Sequence, residues 1–400
     1  MDSNLILDKK ILCILVKFEI LEQFFYQKKI FLDQILNHFK NLYFIDISFL
    51  YGSKKKYDLK KFKKKNFIFI SPKTTEDFIN FSNNKKITAI INTGRSWDSL
   101  KLFFLLRKVN YNLIQISNIG NAQGTEYKNY KSFLKQNISK TLPHKLYLFF
   151  SFFNVIPKID IKFVSNKKYY NSFRNNFFLK KGMNIFTTKK IILVNSLAYD
   201  ELLISKNKIN KKYIVMLNTN INHKDAIKFS GRLSKKKVFE SNLKLKIFLQ
   251  NISKEFKKKV VICLHPSSDL NKEKKFFNNF KVVKFQTKKF IKQAWLVFLY
   301  ETSSVVDAII LNKKIINLEN SAMGQNWINQ SNQYPKKIGI SKLNIDKEDN
   351  EKFKNLILKV VKKKNNPIKY NNFVKNNLCA DKKNIMGSTK ILKIIKKLYF

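Results

Sequence analysis

Three clusters of polar side chains in the second half of the chain directly follow apolar runs that are typical of buried strands. The clusters are 217–232, His265-Pro266-Ser267-Ser268 and Glu301-Thr302-Ser303-Ser304. Imidazole, hydroxyl and backbone N–H groups are hydrogen-bond donors suited to an anion such as a phosphate. Because ligands of parallel sheets bind at the carboxyl ends of the strands, these clusters mark the first place to look for a binding site.

The third cluster directly precedes a predicted helix, SVVDAIILN. The hydroxyls of Thr302, Ser303 and Ser304, together with the unpaired N–H groups and the dipole of a helix start, attract an anion. A phosphate held in this way needs no metal. The alternative is that Ser303 or Ser304 only caps the helix, which is a common role of serine.

The second cluster places His265 before Pro266 at a predicted strand end. Proline fixes φ and lacks an N–H, so Pro266 ends the strand and holds His265 extended at the sheet edge. An imidazole there can donate to a phosphate oxygen. The alternative is an ordinary strand end with a partly exposed histidine. The serine-rich helix start two strands later favours the phosphate interpretation.

The elements that must position these residues alternate between strand-like and helix-like patterns. Apolar runs such as KKILCILVKF and ITAIINTG predict strands, and the helical spacing of SWDSLKLFFLLRKV follows the second of them. A second series begins after the polar linker ISKNKINKK. Strand–helix–strand order at this spacing predicts parallel sheets. We therefore predict an α/β protein with two doubly wound domains, 1–204 and 205–400, that face a cleft.

Composition narrows the function classes. The 400 residues carry 79 Lys+Arg and 27 Asp+Glu, a formal net charge of +52, which would attract polyanions. The excess is mostly lysine spread along the whole chain, and no patterned arginine or RNA-binding aromatic signature is present. This pattern favours an anionic membrane face or anionic substrates over nucleic acid as the partner.

Three well-separated cysteines and no signal peptide predict a cytoplasmic protein.

The sequence from Tyr213 to Asn320 resembles the donor-binding half of bacterial surface-polysaccharide glycosyltransferases of the two-domain GT-B fold. The similar stretches are YIVMLNTNINHKD, KKVVICLHPSSD and AWLVFLYETSSVVDAIILNKKIINLEN. His-Pro and Ser-Ser motifs of this kind mark sialyltransferases, polysialyltransferases and capsular Kdo transferases. The third stretch is also similar to the phosphate-holding segment of poly(glycerol-phosphate) transferases.

The resemblance implies a nucleotide-sugar donor, CMP- or UDP-linked, and a glycan or lipid-linked acceptor. It implies that His265, oriented by Pro266, contacts the donor phosphate with Ser303, Ser304 and the adjacent Thr302. His223 and Asp225 match a His-x-Asp position of related sequences, although Asp225 fits a surface loop equally well. Glu319 is a candidate for a ribose hydroxyl, with a surface carboxylate as the alternative.

The first half is then expected to bind the acceptor and to supply a general base, which takes the acceptor hydroxyl's proton in an inverting transfer. The acidic-pair-glycine motif of sialyltransferases is missing, so the candidates are Asp98 in NTGRSWDS and Glu126 in NIGNAQGTE. Asp98 also fits a helix-dipole partner. No DxD-like pair stands at a strand end, so we predict neither a metal nor a cofactor.

The tail STKILKIIKKLYF combines an apolar side with a basic rim. It fits either a helix lying on an anionic leaflet, which would make the protein peripheral at the inner face of the plasma membrane, or a terminal helix packed on its own protein. Two other functions remain as alternatives. One is a nucleotide-sugar epimerase of the same fold, and the other is a basic protein that binds nucleic acid.

Overall fold

The structure, a computed structural model, describes most of the chain. The described residues are 10–52, 59–62, 64, 66–91, 97–116, 142, 146–147, 149–167, 170–171, 188–204, 211–220, 233–300, 302–323, 328–329, 331–346, 349–379 and 385–399. Contacts within the chain divide it into two compact units. Of the described residues, the first unit contains those up to 201 together with 379 and 385–399, and the second contains those from Leu202 to Leu378.

Each unit is built on one sheet, and all described strand pairs are parallel. The described strands of the first unit are β1 Lys10–Val16, β2 Leu42–Asp46, β3 Phe67–Ile70, β4 Lys86–Ile91, β5 Tyr111–Ile116, β6 Ile159–Val164 and β7 Thr188–Leu193. Those of the second unit are β8 Tyr213–Leu217, β9 Lys259–Cys263, β10 Lys281–Val283, β11 Ala294–Leu299, β12 Ile315–Glu319 and β13 Ser341–Asn344.

Helices connect the strands. The described helices of the first unit are α1 Leu21–Leu36, α2 Thr75–Ser82, α3 Trp97–Arg107, α4 Leu197–Ile204, which runs across the unit boundary, and α12 Gly387–Tyr399. Those of the second unit are α5 Lys235–Glu255, α6 Leu270–Phe276, α7 Thr287–Lys292, α8 Val305–Ile310, α9 Gln333–Ile338, α10 Asn350–Lys362 and α11 Pro367–Asn377.

The inner strands β1, β4, β8, β9 and β11 are apolar along most of their length because both of their faces are buried. In β1, alternate residues enter two different cores of the first unit. Leu12 and Ile14 pack in the core that contains α1, whereas Ile11 and Cys13 pack in the core that contains α3. This two-sided burial explains why the strands read as continuous apolar runs rather than as alternating patterns.

The strand orders are those of doubly wound sheets, β3-β2-β1-β4-β5-β6-β7 in the first unit and β10-β9-β8-β11-β12-β13 in the second. In both, the first strand lies inside the sheet, with the next two strands on one side and the fourth on the other. The crevice outside the carboxyl ends at this reversal is where such sheets bind ligands. The predicted class, α/β with two doubly wound parallel sheets, is confirmed.

The final helix α12 packs on the first unit. Its apolar side chains Ile391, Leu392 and Ile395 are buried in the core that contains α1. The buried carboxylate of Asp200 accepts hydrogen bonds from the backbone N–H groups of Gly387 (2.6 Å) and Ser388 (2.8 Å), which satisfies the start of the helix. The sequence-based division had placed this tail in the second domain. The structure instead places the tail in the first unit, because the apolar side of α12 packs against α1 and β1.

Of the two interpretations of the tail, the structure therefore agrees with a terminal helix packed on its own protein. The side that would face a leaflet is the side that the first unit buries. Within the described ranges, no helix is both long and apolar enough to cross a membrane.

The close approach of Gly387 to Asn195 gives a prediction. A Cβ at position 387 would lie 1.9 Å from the carbonyl oxygen of Asn195, so Gly387→Ala must displace α12. We expect a loss of about 1–3 kcal/mol, which lowers the Tm by about 3–10 °C in a thermal denaturation followed by circular dichroism. Lys393→Ala, at an exposed position of the same helix, is the matched control. An unchanged Tm in Gly387→Ala would contradict the described docking of α12.

Candidate functional site

The candidate site of the second unit lies at the carboxyl ends of three neighbouring strands, β9, β8 and β11. Leu264 and His265 follow β9, Asn218 follows β8, and Tyr300 follows β11. The fold therefore brings the predicted His265 and the predicted 302–304 cluster to the same edge of the sheet, two strands apart. β8, the strand between them, ends at the reversal of the strand order.

The half-buried imidazole of His265 is held by its own turn. The backbone N–H of Ser267 donates to Nδ1 of His265 at 3.2 Å, and Oγ of Ser267 lies 2.7 Å from the same nitrogen. A ring nitrogen that accepts an N–H bond carries no proton, so the neutral ring has its proton on Nε2. The ring thus presents a donor, rather than an acceptor, at its far side.

A second residue extends this network to the neighbouring strand end. Nδ2 of Asn220 donates to Oγ of Ser267 at 2.9 Å, which leaves the hydroxyl proton of Ser267 for Nδ1 of His265. Asn220 follows β8, so the network joins the ends of β8 and β9. The sequence placed Asn220 in a polar strand-end loop, but its amide carried no signal that distinguished it from the other asparagines of the loop.

Pro266 lies in a turn that fixes the direction of His265. The backbone N–H of Ser268 donates to the carbonyl of His265 at 3.0 Å, and Pro266 occupies the second position of this turn, which its fixed φ favours. Nζ of Lys284 donates to the carbonyl of the buried Ser268 at 3.1 Å. Asp269 then caps α6 by accepting from the N–H groups of Asn271 and Lys272. The loop after β9 is therefore fixed at both ends.

The 302–304 cluster begins α8 in an unexpected way. The backbone N–H of Ser304 donates to Oγ1 of Thr302 at 3.3 Å, whereas the hydroxyl of Ser304 makes no capping hydrogen bond. Thr302 and Ser304 are half-buried, and Ser303 is exposed. Simple capping by Ser304, one of the two interpretations of its sequence, is not how this helix starts. Thr302 takes the structural role, which the sequence did not distinguish.

Buried polar contacts hold the base of this cluster. Nδ2 of the fully buried Asn320 donates to the carbonyl (3.1 Å) and Oγ (3.0 Å) of Ser241 in α5, and lies 3.4 Å from the hydroxyl of Tyr300. Burial raises the pKa of Tyr300 far above its usual range, so its phenol is neutral. These contacts tie the ends of β11 and β12 to α5, which gives the 302–304 cluster a rigid support.

Two other side chains near this edge, those of Glu319 and Cys263, contact neighbouring parts of the second unit. Oε1 of Glu319, at the end of β12, lies 3.3 Å from Nζ of Lys342 in the adjacent strand β13. This ion pair gives the carboxylate a partner inside the sheet, and the predicted ribose contact stays a prediction. Cys263 ends β9, and burial raises the pKa of its thiol to about 12, so it is neutral and packs as an apolar residue.

The structure describes less of the candidates for the general base and for the other donor contacts. Asp98 lies in the first turn of α3, which follows β4 in the first sheet, but its side chain is outside the described part. Glu126, His223 and Asp225 also lie outside the described residues. The roles of all four therefore stay predictions. Among the described residues, no group of histidine, cysteine and carboxylate side chains could hold a metal ion.

Comparisons with known proteins address the fold. No protein-family model and no curated protein matches the chain. Solved structures do match it over nearly its full length. The wall teichoic acid polymerase TagF, in a crystal soaked with CDPG, has a TM-score of 0.51 at 14% identity and covers 98% of this chain and 90% of its own.

Two further structures with other activities are similar to the same extent. The calicheamicin glycosyltransferase CalG4 has a TM-score of 0.50 at 8% identity, covering 98% of both chains. A putative UDP-N-acetylglucosamine 2-epimerase from Listeria monocytogenes has a TM-score of 0.50 at 11% identity, covering 97% of this chain and 96% of its own. Together these likenesses show that the chain has the GT-B fold, and at such identities they show the fold alone.

The tautomer of His265 gives a prediction. Because Nδ1 accepts from the Ser267 N–H, we expect the neutral ring to be protonated on Nε2. Long-range ¹H–¹⁵N correlation spectra of the histidine-labelled protein check this, with His265→Gln to assign the signal. Ser267→Ala removes only the hydroxyl contact, so it should shift the Nδ1 resonance and leave the exposed His38 unchanged. A neutral ring protonated on Nδ1 would contradict the described geometry.

Proposed function

We propose that this protein is a metal-independent glycosyltransferase that moves a sugar from a CMP- or UDP-linked donor to a cell-surface glycan or lipid-linked acceptor. One observation carries the proposal. The carboxyl ends of β9, β8 and β11 are adjacent at the reversal of the second sheet, and they bear His265, Asn220 and the 302–304 cluster. This is the position at which doubly wound sheets bind nucleotides.

The chemistry of these groups suits a diphosphate or phosphodiester donor. In the proposed complex Nε2–H of His265 donates to a phosphate oxygen, because Nδ1 is held by Ser267. The hydroxyls of Ser303 and Ser304 donate to the same phosphate from the start of α8. Donors of fixed direction stabilise the negative charge that develops on the leaving phosphate as the bond to the sugar breaks.

The first unit would bind the acceptor and supply the general base, with Asp98 and Glu126 as the candidates. The acceptor hydroxyl loses its proton to this carboxylate while its oxygen attacks the anomeric carbon and the nucleotide phosphate departs. The resemblance to sialyltransferases, polysialyltransferases and capsular Kdo transferases supports a CMP-linked donor. The full-length likeness to TagF and CalG4 supports group transfer on this fold.

An epimerase is the second candidate. The full-length likeness to the Listeria monocytogenes protein, a putative UDP-N-acetylglucosamine 2-epimerase, is of the same extent as the likeness to the two transferases. An epimerase would use the same phosphate site, but it would convert the nucleotide sugar without an acceptor. Formation of an altered nucleotide sugar in a reaction that lacks an acceptor would identify this activity.

Nucleotide binding tests the proposed site. In a thermal-shift screen with CMP, UDP, CDP and GDP, we expect one nucleotide to raise the Tm by mass action. His265→Ala, and the double variant Ser303→Ala with Ser304→Ala, each remove donors to the phosphate. Both should weaken the affinity for that nucleotide by about 10- to 100-fold and abolish transfer.

Matched controls separate the site from the general effect of the substitutions. His38→Ala removes an exposed imidazole, and Ser71→Ala with Thr75→Ala removes two exposed hydroxyls, all in the first unit. These variants should bind the nucleotide as the wild type does. Equal affinity in His265→Ala and the wild type, with both proteins folded by circular dichroism, would overturn the proposed role of His265.

A further inference from the structure

The first unit exposes a cluster of phenylalanine rings that no part of the proposed function uses. Phe149, Phe152 and Phe153 are 57%, 53% and 58% exposed, and Phe104 of α3 is 39% exposed. We call these four residues the aromatic patch. Single exposed apolar residues need no explanation, but a contiguous group of large rings marks an interaction site.

The rings of the aromatic patch form one continuous surface. The ring centroid of Phe149 lies 4.8 Å from that of Phe153, which lies 5.0 Å from that of Phe152. Phe104 contacts the same segment through Phe150, with 5.2 Å between the ring centroids. The patch is therefore built from the outer side of α3 and from the helical residues 149–152 with Phe153.

A basic cavity adjoins the aromatic patch. It has a volume of about 490 Å³, and the side chains of Arg107, Lys108, Lys158 and Lys189 line it. Its carboxylate, Asp160, already accepts from Nζ of Lys189 and from the backbone N–H of Leu113, both at 2.7 Å. The cations of Arg107, Lys108 and Lys158 thus dominate the charge of the cavity.

The backbone makes the patch and the cavity contiguous. Asn154 lines the cavity and directly follows Phe153, and its φ of +55° turns the chain there. Its N–H donates to the carbonyl of Ser151, and the N–H of Val155 donates to that of Phe150, which closes the end of the helical segment. On α3, Arg107 is one turn beyond Phe104. Apolar rings and cationic groups therefore lie side by side.

We propose that the aromatic patch and the basic cavity together form a docking surface for an anionic lipid bilayer. Phenylalanine rings insert at the boundary between headgroups and acyl chains, and nearby arginine and lysine side chains attract lipid phosphates. Charge complementarity selects this occupant, because the cations beside the rings match the anionic face of a membrane and the chain as a whole carries +52.

This surface differs from the membrane contact that the sequence suggested. The tail helix α12 buries its apolar side in the first unit, whereas the rings of the patch remain exposed. The cavity lies at the amino ends of β5, β6 and β7, which is the opposite edge of the first sheet from the carboxyl ends. The proposal does not rest on the proposed transferase activity.

Cosedimentation with vesicles tests the surface. The wild type should bind vesicles of phosphatidylcholine that contain phosphatidylglycerol more tightly than vesicles of phosphatidylcholine alone. Phe152→Ser with Phe153→Ser, and separately Arg107→Gln with Lys108→Gln and Lys158→Gln, should each weaken binding to the anionic vesicles at least about tenfold. The nucleotide-induced thermal shift should persist in both variants, which separates this surface from the candidate site.

Matched controls remove two exposed apolar side chains and three positive charges elsewhere. Phe239→Ser with Ile368→Ser changes two exposed apolar residues of the second unit, and Lys235→Gln with Lys236→Gln and Lys272→Gln removes three exposed charges. Both controls should bind anionic vesicles as the wild type does. An equal loss in the controls and the patch variants would overturn the proposal, because binding would then follow net charge or general apolarity.

A fluorescent label provides a second test of the docking surface that does not depend on the folding of the serine variants. The native cysteines are buried, so an environment-sensitive fluorophore can be attached at Phe153→Cys or, as the control, at Ile368→Cys. Anionic vesicles should shift the emission at position 153 to the blue and leave position 368 unchanged. No shift at 153, or a shift that concentrated protein produces without vesicles, would overturn the proposal, and the latter would identify a second copy as the occupant.

Discussion

Parallel pairing around an internal first strand is the constraint on which the candidate site depends. In the second unit, β8 pairs with β9 on one side and with β11 on the other. Strands that run in the same direction end at the same edge, so the residues after these three strands must converge there. The chain separates His265 from Ser303 by dozens of residues, but the sheet leaves only one strand between their positions. Neither the histidine nor the serines would form a site without that order.

Backbone and amide contacts fix the directions of the side chains that meet at this edge of the sheet. The Asn220–Ser267–His265 network links two strand ends and determines which ring nitrogen carries the proton. Asn320 ties Tyr300 to α5 beneath the 302–304 cluster. The contacts of the buried Asn320 are expensive to leave unmade, whereas the contacts of Asn220, Ser267 and His265 are exposed and fix the direction of the imidazole. In the proposed complex, the phosphate would then be bound by groups that need no rearrangement.

Much of the fold could be predicted from the sequence, because strands buried on both faces give long apolar runs that a single chain displays clearly. The position of His265 and of the Thr302-Ser303-Ser304 cluster at strand ends could be predicted as well, because each follows an apolar run, and their role in binding stays a proposal. The roles of Asn220 and Thr302 could not, because both depend on a partner that only the tertiary structure supplies. The placement of α12 was not predicted either. A short amphipathic pattern fits a membrane and a protein surface equally well. Only the tertiary structure, in which α12 packs on α1, distinguishes the two.

The proposed site depends most on a contact between His265 and the phosphate of a bound nucleotide. Titration of the histidine-labelled protein with CMP, UDP, CDP and GDP, followed by the ¹⁵N resonances of its rings, tests this contact most directly. We expect one nucleotide to shift the Nε2 resonance of His265 in a saturable manner and to leave that of His38 in place. If a nucleotide binds and the His265 resonances do not move, or if none of the four binds, the proposed phosphate site is wrong.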